Sequence, residues 1–484
     1  MSLKVKVKSG LKWNLINQVV SQIIFVWFGI YLARLLGPEA YGLVGMITVF
    51  SGFANLFVDF GFSSAIVYDP KLTNNKISSV FWLNLFFGIV IYLIFYFGSP
   101  LLADFYGLEE LKVLTRVVTI SLIINSLTGV PNSLISKSIS FKEKIKGGWI
   151  STVISYSVAF YLAFNGYGVW SLVFQILLFS FFNLLFVWKI ADFKPGFYFS
   201  YADIRSLISY GSGIAGTNLL GYLTRNLDNL LIGKFLGGSS LGIYSRSYGL
   251  MMLPIKNISG IFTKVLFPAF SKIQNQPDVI AVYYLKATKI IALFSFPIMF
   301  CFFAISKEFV LLFLGKDWVE AIFIIQMLSI LGAVQSILTL NGVIYNSLGK
   351  ATTAFKVTLG LNLVLIPSWI IGMELGGLNG LVLAYLLVGT LGSIPILAIA
   401  LRYIHLSVLD QLKNLFIIIL GSVSIIICSL LIDLFFTISL IYSFGFKVII
   451  GVVIFLLIVI PFEKRFLFEI YKIILSKDKD LHKF

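Results

Sequence analysis

Few residues in this chain have side chains able to do chemistry, so their positions are informative. Asp59, Arg225, Asp228 and Lys256 lie inside long apolar stretches, and Arg116, Arg246 and Lys264 lie nearer the ends of such stretches. An ionisable group in hydrocarbon is costly, and it faces a watery cavity or a partner. Arg225 and Asp228 are three apart and so share one helix face. The same stretch carries Ser212, Thr217, Asn218, Asn226 and Asn229, and the first apolar stretch carries a stripe of Asn14, Asn17, Gln18 and Gln22. These two stretches read as helices lining water. Bases outnumber acids in these stretches, and a cationic cavity suits an anionic solute such as a pyrophosphate. Arg225, Lys256, Arg246, Arg116 and Asn218 are therefore candidate substrate contacts. Asp228 and Asp59 are candidate carboxylates for a coupling proton or sodium ion.

Each of these residues also has a plainer reading. Arg225 and Asp228 neutralise each other, Lys256 and Lys264 snorkel to an interface, Asp59 makes a packing or gating contact, and the amide stripe glues helices together. Other chemistries are poorly provided for. Two histidines and two cysteines leave no basis for a metal site or a disulfide framework. No phosphate-binding G-x-x-x-x-G-K-[ST] loop is present. No cofactor, no enzymatic constellation and no nucleic-acid partner is expected.

The elements that position these residues are membrane helices. Of 484 residues, 59% are hydrophobic and 12% charged, and mean hydropathy is +0.98. A soluble domain carries about 25% charged residues. A span needs roughly 20 apolar residues, and about fourteen stretches qualify, from 12–34 to 441–461. With the N-terminus inside, 26 of the 37 Lys and Arg residues fall on the cytoplasmic side, 8 outside and 3 within spans. That is the positive-inside pattern for an even number of crossings with both ends cytoplasmic. The net charge of +16 is thereby assigned to the membrane face.

The chain also repeats itself. Arg34, Leu36, Gly37 and Gly42 match Lys234, Leu236, Gly237 and Gly242, all at an offset of 200. Asn132-Ser133-Leu134 with Lys137 resembles Asn346-Ser347-Leu348 with Lys350, at offsets of 213 to 214. The expectation is an all-α integral membrane protein of two six-helix lobes in parallel repeat. The N-terminal lobe covers 1–191 and the C-terminal lobe 192–405, followed by two extra spans in 406–462 and a cytoplasmic tail in 463–484. Two similar bundles can rock about a cavity and open it alternately to each side. Prolines 131, 254, 268, 297 and 367 lie within or near span ends, where they can kink helices.

Three strings carry a family resemblance. Ala33-Arg34-Leu35-Leu36-Gly37-Pro38-Glu39-Ala40-Tyr41-Gly42-Leu43 resembles the turn after the first span of Wzx-type polysaccharide exporters. So does Leu227-Asp228-Asn229-Leu230-Leu231-Ile232-Gly233-Lys234-Phe235-Leu236-Gly237 with Leu241-Gly242-Ile243-Tyr244-Ser245. Leu266-Phe267-Pro268-Ala269-Phe270-Ser271-Lys272 is similar to the end of their eighth span. These are lipid-linked oligosaccharide flippases of the multidrug/oligosaccharidyl-lipid/polysaccharide exporter superfamily, related to the MATE and MurJ groups. The resemblance implies ion-coupled alternating access in a bacterial inner membrane. Its implied cargo is a polyprenyl-pyrophosphate-linked oligosaccharide, with a polysaccharide polymerase and chain-length machinery as further partners. Asp228 sits within the matching motif. Alternatives in the same class are a lipid II flippase and a drug or cation antiporter. In a different class stands a membrane polysaccharide polymerase or ligase, which would need a larger external loop than this chain offers.

Overall fold

A computed structural model describes residues 3–69, 72–138, 141–436 and 438–475. Every regular element among them is helical, and none is a strand. In lipid the backbone must satisfy its own hydrogen bonds, and a helix does so within one segment. Eleven helical segments among the described residues are long and apolar enough to cross a membrane.

Three of these segments run to 53, 62 and 52 residues, at Ile16–Tyr68, Gly211–Lys272 and Ala351–Arg402. A span of the bilayer core takes roughly 20 residues. Each of the three is broken by glycine. Helix α1 (Leu3–Asp59) breaks at Gly37, with φ 70° and ψ 174°. Helix α8 (Tyr201–Pro254) breaks at Gly237, with φ 83° and ψ −177°. That combination of angles is essentially closed to residues with a Cβ. Helix α13 (Ala351–Leu391) breaks at Gly376 and Gly377. The two turns read from sequence as repeats at an offset of 200 thus share one unusual backbone conformation.

The chain divides into two compact units, Met1–Ser245 and Arg246–Phe484. In the first unit, α3 (Asn74–Tyr106) packs on α5 (Ile120–Ser138), which also packs on α7 (Trp170–Ala191). Helix α6 (Phe141–Phe164) packs on α7 and α1, and α2 (Phe62–Tyr68) packs on α5. The short α4 (Glu110–Val118) leans on α3. One core cluster joins Phe62, Ile66, Val80, Phe81, Val130 and Leu207. The two glycine turns meet inside this unit. A Cβ on Gly42 would run into the Gly238 carbonyl, and one on Gly242 into that of Pro38. Small residues let helix backbones approach this closely, which is why the Gly42 and Gly242 pair is part of both strings.

In the second unit, α9 (Gly260–Lys272) leads into α10 (Pro277–Ala304), and the short α11 (Ser306–Phe309) leads toward α12 (Ala321–Ser347). Helix α14 (Ser393–Arg402) continues from α13, and α15 (Val408–Phe435) and α16 (Leu440–Leu475) close the chain. The principal packings are α10 on α12, α10 on α15, α12 on α13 and α15 on α16. A core cluster gathers Ile280, Tyr284, Ile291, Leu340, Ile344 and Leu401. Outward faces remain apolar: Ile449, Val453 and Leu457 along α16 are exposed. A water-soluble surface rarely tolerates such a stripe, whereas lipid requires it.

Candidate functional site

The helix that carries most of the candidate residues is α8. Asp228 is 4% exposed. Its Oδ2 accepts a hydrogen bond of 2.7 Å from the Tyr244 hydroxyl, and its Oδ1 one of 2.8 Å from the Asn229 amide. Tyr244 is itself fully buried and lies beyond the Gly237 break. The carboxylate therefore ties the two limbs of the broken helix together. Arg225, one turn earlier, is exposed, and its Nε donates to the Gly221 carbonyl of its own helix at 2.8 Å. Arg225 and Asp228 do not pair, so mutual neutralisation does not explain them. Asn218 is exposed on the same helix.

Lys256 has a distinct setting in the second unit. Pro254 has no N–H to offer the preceding turn, and the helix loosens there into a π-turn at Ile255–Ser259. Lys256 is exposed on that turn. Such turns recur where a helix serves a function. Arg246 is half-buried and has a bonded or charged partner.

Asp59 is the last residue of α1, where Phe60 and Gly61 take positive φ and end the helix. Its Oδ1 accepts from the Ser63 amide at 3.2 Å and from the Ser63 hydroxyl. The carboxylate thus serves the first turn of α2, where negative charge is favoured. It also lines a polar cavity of about 260 Å³ within the first unit. Arg116 is engaged elsewhere. Its guanidinium donates to Ser99 Oγ at 2.9 Å and to the Tyr96 carbonyl at 3.2 Å, and it stacks 4.6 Å above the Tyr96 ring. It fastens α4 to α3. The amide stripe of the first span also proves adhesive in part: Asn17 Oδ1 accepts from the Trp149 indole at 2.8 Å. The Asn14 side chain falls outside the described residues.

Two groups escaped the sequence reading. The first is the set of asparagines around Asp59: Asn55, Asn84, Asn125, Asn132 and Asn183 share its cavity. Each is a polar residue in an apolar stretch, the signal that drew attention to Asn218. Of these only Asn132 stands out in the sequence, as part of a repeated string. The second is an ion cluster around the buried Lys447 and Glu308 in the second unit. Lys447 Nζ lies 2.6 Å from Glu308 Oε1 and 2.8 Å from Asp433 Oδ2, and Ser443 donates to the same Glu308 oxygen at 2.8 Å. Lys447, counted from sequence with the outer segments, is 2% exposed within α16. The spacing of Ser443 and Lys447, one helical turn, was the legible clue.

A match to the family described as "Polysaccharide biosynthesis protein" covers residues 31–323. The chain belongs to that family. The teichuronic acid biosynthesis protein TuaB of Bacillus subtilis is 28% identical over 78% of this chain and 78% of its own. The lipopolysaccharide biosynthesis protein WzxC of Escherichia coli is 27% identical, over 81% of this chain and 80% of its own. Among solved structures, the lipid II flippase MurJ in an inward closed conformation superposes with a TM-score of 0.76 at 17% identity, covering 94% of this chain and 100% of that one. At that identity the likeness speaks for the fold.

The polysaccharide biosynthesis family match takes in both glycine turns, Asp59, Arg225, Asp228 and Lys256. It stops before the Asp433–Lys447 pairing on α15 and α16. The resemblance read from the three strings agrees with the family shown here. A further feature of the second unit is a groove of about 520 Å³ between α10 and α16, lined among others by Phe294, Pro297, Phe302, Val452 and Phe455. Its lining residues are almost all apolar, so only hydrocarbon fits it well.

Proposed function

We propose that this member of the polysaccharide biosynthesis family is a flippase. It moves an undecaprenyl-pyrophosphate-linked oligosaccharide from the cytoplasmic to the outer leaflet of a bacterial inner membrane. What carries the reading is one combined observation: a chain of this family consists almost wholly of membrane-length helices. Its work lies in transport and not in catalysis, in keeping with the lipid II flippase whose fold it resembles. Each of the three broken segments crosses the membrane twice, which makes fourteen crossings with both termini cytoplasmic. The lobes are 1–191 and 192–405, with spans 13 and 14 appended, and the shared backbone at Gly37 and Gly237 supports that repeat.

In this reading Arg225, Lys256, Arg246 and Asn218 contact the pyrophosphate and its sugars. Arg225 and Lys256 are exposed and suit a phosphate, since a guanidinium can meet two of its oxygens at once. The isoprenoid tail stays in lipid, and the apolar groove between α10 and α16 gives it a resting surface. Alternating access is coupled to a proton or sodium ion, and a polymerase with its chain-length machinery takes up the product.

Sidedness tests this. In a strain lacking the gene, lipid-linked repeat units should accumulate on the cytoplasmic face, closed to a membrane-impermeant probe, and surface polysaccharide should be lost. Units trapped on the outer face would point to polymerisation or ligation and would end the flippase reading.

A further inference from the structure

We propose that the cavity around Asp59 is a binding site for a dehydrated monovalent cation, sodium, reached through a polar vestibule in the first unit. The proposal deepens the flippase reading by naming its coupling ion and site, and it rests on that reading only for the use the ion is put to.

The wall of the cavity is the first argument. Five asparagines and one aspartate from four different helices converge there, together with Thr128. Amide, hydroxyl and carboxylate oxygens are the ligands of hard cations. None of the asparagines is adjacent to another in sequence. Asn125 and Asn132 lie two turns apart on one face of α5, and Asn84 and Asn183 come from α3 and α7. A packing contact needs one such residue and its partner, and here the lining is polar apart from Val58 and Gly129.

The second argument is incomplete bonding. Asn84 is 1% exposed, and its amide oxygen has no hydrogen-bond partner. The amide oxygen of Asn132 is likewise buried and unpartnered. A buried polar atom without a partner costs about 1–3 kcal/mol, and both of these residues line the same cavity. A lone proton on Asp59 supplies one donor and leaves the other oxygens unmet. A cation is attracted to all of them together.

Charge then selects the ion. Among the described residues, Asp59 is the one ionisable group lining the cavity. A monovalent cation makes the occupied site neutral, whereas a divalent ion leaves a net positive charge in a low-dielectric bundle. A calcium site gathers more carboxylates than this.

A route is present as well. Asn132 also lines a second polar cavity, of about 590 Å³, with Ser63, Ser64, Ser133, Ser136 and Lys144. Ser63 is the residue that holds the Asp59 carboxylate. The second cavity lies among the ends of α2, α5 and α6, where Lys137, Lys142, Lys144 and Lys146 collect. That basic cluster belongs to the cytoplasmic face in the proposed topology. The path therefore runs from the cytoplasmic side to Asp59.

Binding of radioactive sodium to the purified full-length protein tests the proposal without any lipid-linked sugar. Saturable binding of about one ion per chain is expected, competed by lithium and not by calcium. Asp59→Asn should abolish it, and Asn84→Leu should weaken it by more than about tenfold. Asp433→Asn, in the other unit, should leave it intact. Asn132→Asp adds a carboxylate to the wall and should shift preference toward calcium, a gain that a misfolded protein cannot show. No saturable sodium binding, or binding unchanged in Asp59→Asn, would overturn the site. If sodium binds but leaflet transfer is absent, the flippase reading fails and the site stands; transfer without sodium binding has the opposite meaning.

Discussion

Asp59 and Asp228 look alike in sequence, each an acid inside an apolar stretch, yet the structure gives them opposite surroundings. Asp228 is enclosed, with both oxygens bonded, and its Tyr244 partner lies across the Gly237 break. Asp59 borders open polar space beside asparagines whose amide oxygens lack partners. The first acid is built into the fold. The second lines a polar cavity. Burial alone does not separate the two acids; the bonding state of their neighbours does. Glu308 is a third case, buried like Asp228 but held by Lys447, a cation.

These differences set an order of expected effects. The largest belongs to Lys447→Met, which strands Glu308 without its cation and should cost about 3–5 kcal/mol. The purified protein should show it as a large drop in unfolding temperature, much of which Glu308→Gln in the same chain restores. Asp228→Ala comes next. It removes the carboxylate to which the buried Tyr244 hydroxyl donates and should cost about 1–3 kcal/mol, with Tyr244→Phe giving a loss of the same order. A double-mutant cycle between the two should show strong coupling, and simple additivity would mean that the hydrogen bond does not tie the limbs. Gly37→Ala forces a Cβ into backbone space meant for glycine, with nothing near it to clash, so strain alone should cost about 1–3 kcal/mol. Smallest is Asp59→Asn. The amide keeps an acceptor for Ser63, and stability without sodium should move by no more than about 0.5 kcal/mol. A loss as large as that of Asp228→Ala would erase the distinction between the two acids.

Much of the fold was legible before any coordinates. Apolar runs of span length and two glycine strings at one offset follow from physics local to a helix. The Gly37 and Gly237 breaks were visible because only glycine tolerates that backbone. The site was legible in part. Charges in apolar stretches pointed to Arg225, Asp228, Lys256 and Asp59, but sequence spacing places Arg225 near Asp228 without saying that Tyr244 takes the carboxylate. That bond depends on how the chain folds back after Gly237. Arg116 reads as a free cation until α4 is seen against the Tyr96 carbonyl. The asparagine cavity was hidden for the same reason: its members come from four helices, and a single asparagine in a span has no periodicity to betray it. The pairing of Lys447 was hidden because its partner Glu308 lies far away in the chain.

The most direct test of the account is transfer between leaflets by the purified protein. The full chain would be reconstituted into vesicles whose inner leaflet carries a labelled polyprenyl-pyrophosphate oligosaccharide, and the fraction reached by an impermeant probe followed in time. The account predicts that the protein raises this fraction well above that of protein-free vesicles, and that Arg225→Ala abolishes most of the rise while the unfolding temperature stays unchanged. A fraction equal to that of empty vesicles, with the protein folded and inserted, would contradict it.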